Sequence, residues 1–284
     1  MKSATFIGFG VLVLVGWIHA QPAAAQTSIN PGMLLDDEGY EQAPFQEIVT
    51  KVPLPARVSY ESYCPSVQKQ GTYSTCVGFA CAYYMRTILE AKNKGITNKV
   101  QINQLAFSPS YLYEKAKLDG DYACTQGVYL SKAFEVLKGV GVAPFKQFPY
   151  PACGQKTGTV DAVAARYRIN DYERLFSVQD EEQKKIYRIK KTLAEGSPVV
   201  IGIVVPQSFY FAGARWEPAQ NDDPTDKQLQ GHALCVIGYD DKRYGGAFRV
   251  VNSFGPAWGD GGFCWISYRD LARFTRYGFT IRQP

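Results

Sequence analysis

The pattern of apolar residues changes at Pro198, and this change limits the possible folds more than any other feature of the chain. Before it, apolar residues recur at helical spacing in three segments. After it, short apolar or alternating runs are separated by Gly, Pro and Asp turns, a pattern typical of strands. Helices first and strands later predict an α+β fold with two segregated lobes. The predicted helices are 74–91, capped by Ser74 and stopped by Gly95, 127–137, and 177–193, capped by Ser177. The predicted strands are 199–205, 233–239, 247–252 and 262–268.

The first 25 residues have the composition of an export signal. Lys2 is the only charge before Asp36, residues 6–18 are apolar, and Ala23-Ala24-Ala25 has the small-x-small form of a cleavage site. The apolar run is short for a membrane span, so we expect a signal peptide 1–25 and no membrane association after its removal. The mature chain would then be secreted or periplasmic. Cleavage after Ala20 and a retained anchor are the alternatives.

The mature chain begins with a polar stretch, residues 26–51, which is broken by Pro31 and Pro44. We predict that it forms an irregular extension on the surface. Residues 52–284 are long enough to bury a large core, either as one domain or as two closely packed lobes.

The charge balance is too mild to imply a nucleic-acid partner, and we expect none. Without Lys2, 30 basic and 26 acidic side chains remain, for a net charge of +4. The densest basic stretch, residues 184–191, is interleaved with apolar residues and follows an acidic run at 180–182. This pattern favours a solvated amphipathic helix over a nucleic-acid surface, which needs basic side chains clustered on one face.

All seven cysteines lie in the exported part of the chain, where disulfides persist. They are Cys64, Cys76, Cys81, Cys124, Cys153, Cys235 and Cys264. An odd number leaves one free thiol if the six others pair. The chain has no Cys-x-x-Cys pair and, after export, a single histidine, so we expect no zinc site and no other cofactor.

The single histidine of the mature chain, His232, is the side chain best suited to proton transfer near neutral pH. Cys76 falls in the first turn of the predicted helix 74–91. A helix N-terminus and a neighbouring imidazolium both stabilise a thiolate, so Cys76 and His232 together predict a nucleophile and its acid/base partner. Taken alone, Cys76 is more typical of a buried or bridged cysteine.

Two side-chain amides are candidates for the supporting roles. Gln70, six residues before Cys76, has an amide that could stabilise an oxyanion together with the Cys76 backbone N–H. Asn252 opens a Gly-rich loop after a predicted strand and could orient the imidazole. Separately these are weak signals, because Gln-Gly is usually a turn and Asn-Ser before Gly is usually a loop cap.

The order and context of these residues are more specific than any one of them. Three blocks, QGTYSTCVGFA at 70–80, GHALCVIGY at 231–239 and NSFGPAWGDGGF at 252–263, resemble the signature blocks of the papain-like cysteine peptidases. Connecting motifs of that family are similar to residues 108–113, 124–127, 148–150 and 196–199, in the usual order. The resemblance spans about residues 54–281.

This resemblance implies a papain-like fold with a helical left lobe, about 60–155, and a β-barrel-like right lobe, about 156–284. The substrate would bind in the cleft between the lobes. The implied catalytic residues are Cys76 as nucleophile, His232 as general acid/base, Asn252 as its orienting group and Gln70 in the oxyanion hole. The implied substrate-binding residues are Gln126, Gly127 and Gly231, which would line the groove.

The chain departs from the family pattern at several positions. Val77 replaces the aromatic residue that commonly follows the nucleophile, and Tyr73 replaces a bridging cysteine. Phe254 replaces a tryptophan that shields the Asn–His pair. Trp258, in contrast, matches a second family tryptophan. His232 and Asn252 follow Cys76 by 156 and 176 residues, beyond the roughly 130–150 expected. Insertions around 156–185 or 210–230 would account for this, and the long inhibitory prodomain is missing.

The missing cysteine at position 73 also affects the disulfides. Since Cys124 lacks its family partner, we expect it to pair with Cys153, and Cys81 is a candidate for a buried structural thiol. The overall expectation is a monomeric, exported thiol endopeptidase that acts on polypeptide substrates. The alternatives are an exopeptidase or acyl transferase that uses the same four residues, and a noncatalytic binding protein on this fold, which the absent aromatic at Val77 would favour.

Overall fold

The computed structural model describes residues 1, 29–47 and 53–282. The predicted signal peptide and its cleavage site lie outside the described residues, apart from Met1. The α-helices of this part are α1 Asp37–Gln42, α2 Cys76–Gly78, α3 Thr87–Asn93, α4 Lys99–Leu105, α5 Pro109–Ala116, α6 Leu130–Gly139, α7 Asp161–Ala164, α8 Glu182–Ala194 and α9 Tyr268–Phe274. The strands are β1 Met33–Leu34, β2 Arg57–Ser59, β3 Val128–Tyr129, β4 Asp171–Arg174, β5 Val199–Val205, β6 Arg215–Trp216, β7 Gln230–Asp240, β8 Ala247–Val251, β9 Phe263–Ser267 and β10 Thr275–Arg282.

The strands form one large sheet in the order β4-β10-β5-β7-β8-β9-β6, and β1, β2 and β3 are attached at its side. Neighbours along this path are antiparallel except β6 and β9. Helices α2 to α6 precede the main sheet in sequence, which confirms the predicted α+β class. The sheet is open, so the expected barrel-like lobe is a twisted mixed sheet and not a closed barrel.

The strand predictions match the sheet closely. Val199–Val205 is observed as predicted and is buried along its whole length. The predicted strand 233–239 lies within the longer Gln230–Asp240, which pairs with β5 on one edge and β8 on the other. In this central position β7 is buried at every residue from Gly231 to Tyr239.

The helix that carries Cys76 differs from the prediction at its start. Ser74 is not the cap: the cap position is Thr75, without a side-chain bond, and the Ser74 hydroxyl instead donates to the Thr125 carbonyl oxygen at 2.8 Å. The segment Phe79–Arg86 is π-helical and joins α2 to α3. Gly95, at φ +64°, follows the helix end as predicted.

The two other predicted helices begin later than expected. Residues 127–129 form a loop and β3 before α6 starts at Leu130. Helix α8 starts at Glu182, and Ser177 is not its cap, because the Ser177 hydroxyl donates to Glu41 Oε2 at 3.1 Å. At α8 a tertiary contact thus uses the hydroxyl that a local cap would have needed, whereas before α6 the Gly127 and Val128 N–H groups donate to Tyr113 and Gly32.

The extension predicted as irregular and superficial contains β1 and α1 among its described residues, 29–47. The Asp36 side chain caps α1 by accepting from the Gly39 N–H at 2.9 Å. Met33 and Tyr40 are buried, and the Tyr40 hydroxyl donates to the Phe176 carbonyl oxygen at 2.6 Å. The segment therefore packs into the core. β1 pairs with β3 on one side and with β7 on the other, so it bridges the helical part and the main sheet.

The predicted Cys124–Cys153 disulfide is present. Cys81 is a buried free thiol, as expected. The condition that the six other cysteines all pair is not met, because Cys64, Cys235 and Cys264 are also free and buried within the apolar core. Among the helices that the structure describes, none has both the length and the apolar character of a membrane span.

Candidate active site

Cys76 is the first residue of α2, and its side chain is fully buried. The backbone N–H of Gly32 donates to its Sγ at 3.3 Å, and the N–H of Ala233 also reaches the sulfur. Burial raises the pKa of the Cys76 thiol to about 11, although these backbone N–H groups act in the opposite direction. In the described conformation the sulfur is therefore a neutral thiol.

His232 lies on β7, directly before the residue whose N–H reaches the Cys76 sulfur. Its Nε2 lies 2.8 Å from Asn252 Oδ1, and this contact fixes the ring orientation. The other ring nitrogen, Nδ1, is buried and has no hydrogen-bond partner among the described residues. Burial lowers the pKa of His232 to about 4, so the imidazole is neutral near pH 7.

Asn252 follows the last residue of β8, and its backbone is held by the helix that carries Cys76. The Tyr84 hydroxyl donates to the Asn252 carbonyl oxygen at 3.0 Å. The Phe254 ring lies 4.6 Å from the His232 ring, centroid to centroid, and is itself stacked by Tyr210 at 5.6 Å. Phe254 is only 3% exposed and therefore helps to shield the Asn252–His232 contact from water.

Gln70 is fully buried, and its side-chain amide is held at both ends. Its Oε1 accepts a hydrogen bond from the Ser253 hydroxyl at 2.6 Å. Its Nε2 donates to the carbonyl oxygens of Tyr73 at 2.8 Å and Asn30 at 3.0 Å. The Asn30 carbonyl oxygen of the N-terminal segment therefore accepts a hydrogen bond from the Gln70 side-chain amide. Cys76 also offers its backbone N–H, because the first turn of a helix leaves such groups without an intrahelical acceptor.

The N-terminal segment runs through the groove between Gly127 and Gly231. The Val128 N–H donates to the Gly32 carbonyl oxygen at 2.9 Å. A Cβ at Gly127 would lie 2.5 Å from that oxygen, and one at Gly231 would lie 2.4 Å from the Met33 carbonyl oxygen. Both glycines therefore permit close approach of a peptide backbone. Gln126 is exposed, and its N–H donates to Asp121 at 3.4 Å rather than to the segment.

The Met33 side chain fills an apolar pocket beside this groove and is 4% exposed. A Cβ at Gly202 would lie 2.4 Å from the Met33 sulfur and 2.9 Å from the Tyr277 ring. The absence of a side chain at Gly202 therefore makes room for a long apolar side chain. This pocket joins the groove at Gly231, where a Cβ would also meet the Met33 methyl carbon at 2.8 Å.

This arrangement of thiol, imidazole and two amides agrees with a family comparison. The sequence model described as papain family cysteine protease matches residues 54–275. The chain belongs to the papain family of cysteine proteases. The match covers the buried thiol, the imidazole and both amides, as well as most of the main sheet.

Individual relatives within the papain family are distant. An uncharacterized peptidase C1-like protein of Acanthamoeba polyphaga mimivirus is 26% identical over 72% of this chain, and cathepsin K of Mus musculus is 25% identical over 75%. The matched regions span 64% and 60% of the lengths of these two relatives.

Solved structures of the papain family share the fold. Xylellain, a cysteine protease from Xylella fastidiosa, aligns with a TM-score of 0.72 at 24% identity over 91% of this chain and 97% of its own. Digestive procathepsin L 3 of Tenebrio molitor larval midgut aligns with a TM-score of 0.67 at 19% identity, over 91% of this chain and 77% of its own.

Sequence reasoning missed two groups of residues that shape this papain-family site. One is the segment from Asn30 to Met33, for which the only local signal is the short apolar run after Pro31-Gly32. The other is the pair Tyr113 and Asp121: the Tyr113 hydroxyl donates to Asp121 Oδ2 at 2.6 Å and accepts from the Gly127 N–H at 3.0 Å. The sequence carries no local signal for the second group, because the burial of Asp121 is visible only in the structure.

Proposed function

We propose that the mature protein is an exported cysteine endopeptidase. The observation that carries this proposal is the state of His232: Nε2 contacts Asn252, and Nδ1 is buried without a partner among the described residues, while the N–H of the next residue, Ala233, reaches the Cys76 sulfur. A ring fixed at one nitrogen and available at the other suits a general acid/base. A structural histidine would be expected to use both nitrogens.

In the mechanism, the Cys76 Sγ proton passes to His232 Nδ1, and the thiolate attacks a peptide carbonyl carbon. The carbonyl oxygen becomes an oxyanion, which accepts hydrogen bonds from Gln70 Nε2 and the Cys76 N–H. His232 then gives its proton to the leaving amine, and a thioester remains. Water loses a proton to His232, attacks the thioester and releases the acid, and the proton returns to the Cys76 sulfur.

In the full chain this site is latent, because the N-terminal segment occupies it. The Asn30 carbonyl oxygen accepts a hydrogen bond from the Gln70 amide, and the Gly32 N–H donates to the Cys76 sulfur. The segment also buries the thiol and the imidazole, and burial favours their neutral forms. Release of the segment would admit water and lower the thiol pKa, so turnover requires that residues 29–34 leave the groove.

The path of this segment supports cleavage within a chain rather than at its end. Residues continue on both sides of Gly32, with Asn30 bonded to Ser74 on one side and α1 packed on the main sheet on the other. The groove is therefore open at both ends to a polypeptide. The Cys124–Cys153 disulfide and the signal-like first 25 residues support export to an oxidising compartment.

The test is digestion of an unfolded polypeptide by the Gly32→Ala chain, in which the groove is opened, and by the same chain carrying Cys76→Ala, His232→Ala or, as a matched cysteine control, Cys264→Ala. Internal fragments from the Gly32→Ala chain and its Cys264→Ala control, and from neither of the other two, would support an endopeptidase. Single residues or dipeptides released from one end would favour an exopeptidase, and transfer to an added amine would favour a transferase. Tight binding without any cleavage would favour a noncatalytic protein.

A further inference from the structure

A cavity of about 500 Å³ lies beside the groove, and its walls are strongly basic. The basic side chains that line it are Lys185, Lys227, Arg273 and Arg276, whereas Asp226 is the one acidic residue in the described lining. An imbalance of this size concentrates positive potential in a concave site and favours an anionic ligand.

The cavity is continuous with the groove. Leu35, two residues after Met33, lines the cavity, and its Cδ2 lies 3.2 Å from the position of a Cβ at Gly231. Gly231 in turn contacts the Met33 carbonyl oxygen in the groove. Val204, which pairs with Gly231 across β5 and β7, forms part of the cavity wall. A peptide seated in the groove therefore passes directly over the mouth of the cavity.

A carboxylate of the N-terminal segment already binds at this wall. Both oxygens of Asp37 accept hydrogen bonds from the Arg276 guanidinium, one of them from Nε at 2.6 Å, and the Tyr277 hydroxyl donates to Asp37 Oδ1 at 2.7 Å. Tyr277 also borders the pocket that holds Met33. The segment thus shows a binding pattern of an apolar side chain followed four residues later by a carboxylate.

The other cations of the cavity lack a strong acidic partner. Lys185 is 8% exposed, and its Nζ donates to the Thr275 carbonyl oxygen at 2.9 Å. Neither Lys185 nor Lys227 forms an ion pair with any residue that the structure describes, and the Arg273–Asp270 pair is 3.8 Å apart. Nearby Asp180 is paired with Lys184. The Thr275 hydroxyl oxygen is buried and unpaired within the described residues. A buried cation without a carboxylate is costly, so this cavity suits an incoming acidic group.

We propose that this basic cavity binds an acidic side chain of the polypeptide substrate once the N-terminal segment has left. The substrate class is then polypeptides that carry a Glu or Asp a few residues from an apolar residue held in the Met33 pocket. This specificity rests on the proposed peptidase function. Residues 224–229, which close one side of the cavity, belong to 210–230, one of the two stretches where the sequence spacing predicts an insertion.

The experiment measures binding rather than cleavage, so it is independent of turnover. The full chain carries Gly32→Ala to open the groove, Cys76→Ala to prevent hydrolysis and Asp37→Asn to free Arg276. Each fluorescent peptide contains one Met and one Glu. Across the series the Glu occupies each of the four positions before the Met and each of the four positions after it. Every peptide has a twin in which Gln replaces the Glu. Anisotropy gives the Kd of every pair. We expect at least one register in which the Glu peptide binds about tenfold more tightly than its Gln twin.

Two further variants test the assignment of the cavity. Arg276→Gln or Lys227→Gln should reduce this preference to about twofold or less, and Lys227 is exposed on a loop, so its replacement does not threaten folding. Arg269→Gln, an exposed arginine outside the cavity lining, should leave the preference unchanged.

Equal binding of Glu and Gln twins in every register would overturn the proposal, as would a preference that survives both cavity variants. Absence of binding by all peptides would also contradict it. If the preference is present but the Gly32→Ala chain with Cys76 intact hydrolyses nothing, the cavity assignment stands and the peptidase function fails.

Discussion

The backbone N–H of Gly32 donates to Cys76 Sγ at 3.3 Å, while the carbonyl oxygen of Gly32 accepts from the Val128 N–H at 2.9 Å. One residue of the N-terminal segment therefore joins the proposed nucleophile to the wall of the groove. In the proposed mechanism a substrate backbone would need the positions that these two polar groups take, so the account predicts that a full chain in this conformation is closed to substrate.

Replacement of Gly32 by Ala should open the groove. A Cβ at this position would lie 1.9 Å from the Ser74 carbonyl oxygen, which is main chain and cannot move aside. We expect the alkylation rate of Cys76 to rise by about tenfold or more, and the unfolding temperature to fall because the buried Met33 side chain leaves its pocket. Gly139→Ala, where nothing lies within 4 Å of the added carbon, is the control. An unchanged alkylation rate would refute the role of Gly32.

Replacement of Ser253 by Ala should lower kcat with little effect on KM. The Ser253 hydroxyl holds Gln70 Oε1 at 2.6 Å, and without it the amide loses its fixed orientation toward the oxyanion. We expect a loss of about tenfold in kcat, against roughly 10²–10³ for Gln70→Ala, which removes the donor itself. Steady-state kinetics on a peptide substrate, in a Gly32→Ala background, measures both constants. A rise in KM at constant kcat would assign Ser253 to substrate binding instead.

The buried imidazole predicts a specific pH dependence of stability. The pKa of His232 is about 4 in the folded chain, below its ordinary value of 6.5, so between these values the unfolded chain binds more protons. Stability from this group is therefore present above pH 6.5 and is lost as the pH falls toward 4. The expected loss is about 2–3 kcal/mol.

Denaturant unfolding of Cys76→Ala and Cys76→Ala/His232→Gln at pH 7 and pH 4.5 isolates this contribution. The chain with His232 should lose about 2–3 kcal/mol more than the chain without it. Carboxylates titrate in the same range, but they are common to both chains and cancel in the comparison. An equal loss in the two chains would show that His232 is not held neutral by burial.

The sequence predicts that Asn252 orients the His232 imidazole, and the two side chains are in contact in the structure. His232 is near the start of β7 and Asn252 directly follows β8, and these strands are antiparallel neighbours. Consecutive apolar strands joined by a short turn usually pair, so local pattern and chain order were sufficient to bring these two residues together. The same reasoning accounts for the success of the strand predictions from Val199 onward.

The N-terminal segment was unpredictable for a physical reason. β1 has two residues, and its partners Val128 and Gly231 lie far away in the sequence. A strand this short carries no periodicity, and its stability comes from contacts that propensity does not describe. Ser74 illustrates the same limit, because its hydroxyl bonds to Thr125, 51 residues away, instead of capping its own helix.

Selective labelling of Cys76 tests the central claim most directly. The Gly32→Ala chain, treated with an epoxide thiol reagent and examined by peptide mass spectrometry, should gain one label, located on Cys76. Cys64, Cys81, Cys235 and Cys264 should remain unlabelled, because burial raises their pKa values and no general base serves them. His232→Ala in the same background should slow the labelling by about 10²-fold or more. Labelling that persists in Cys76→Ala, or that is indifferent to His232, would contradict the assignment of Cys76 as an activated nucleophile.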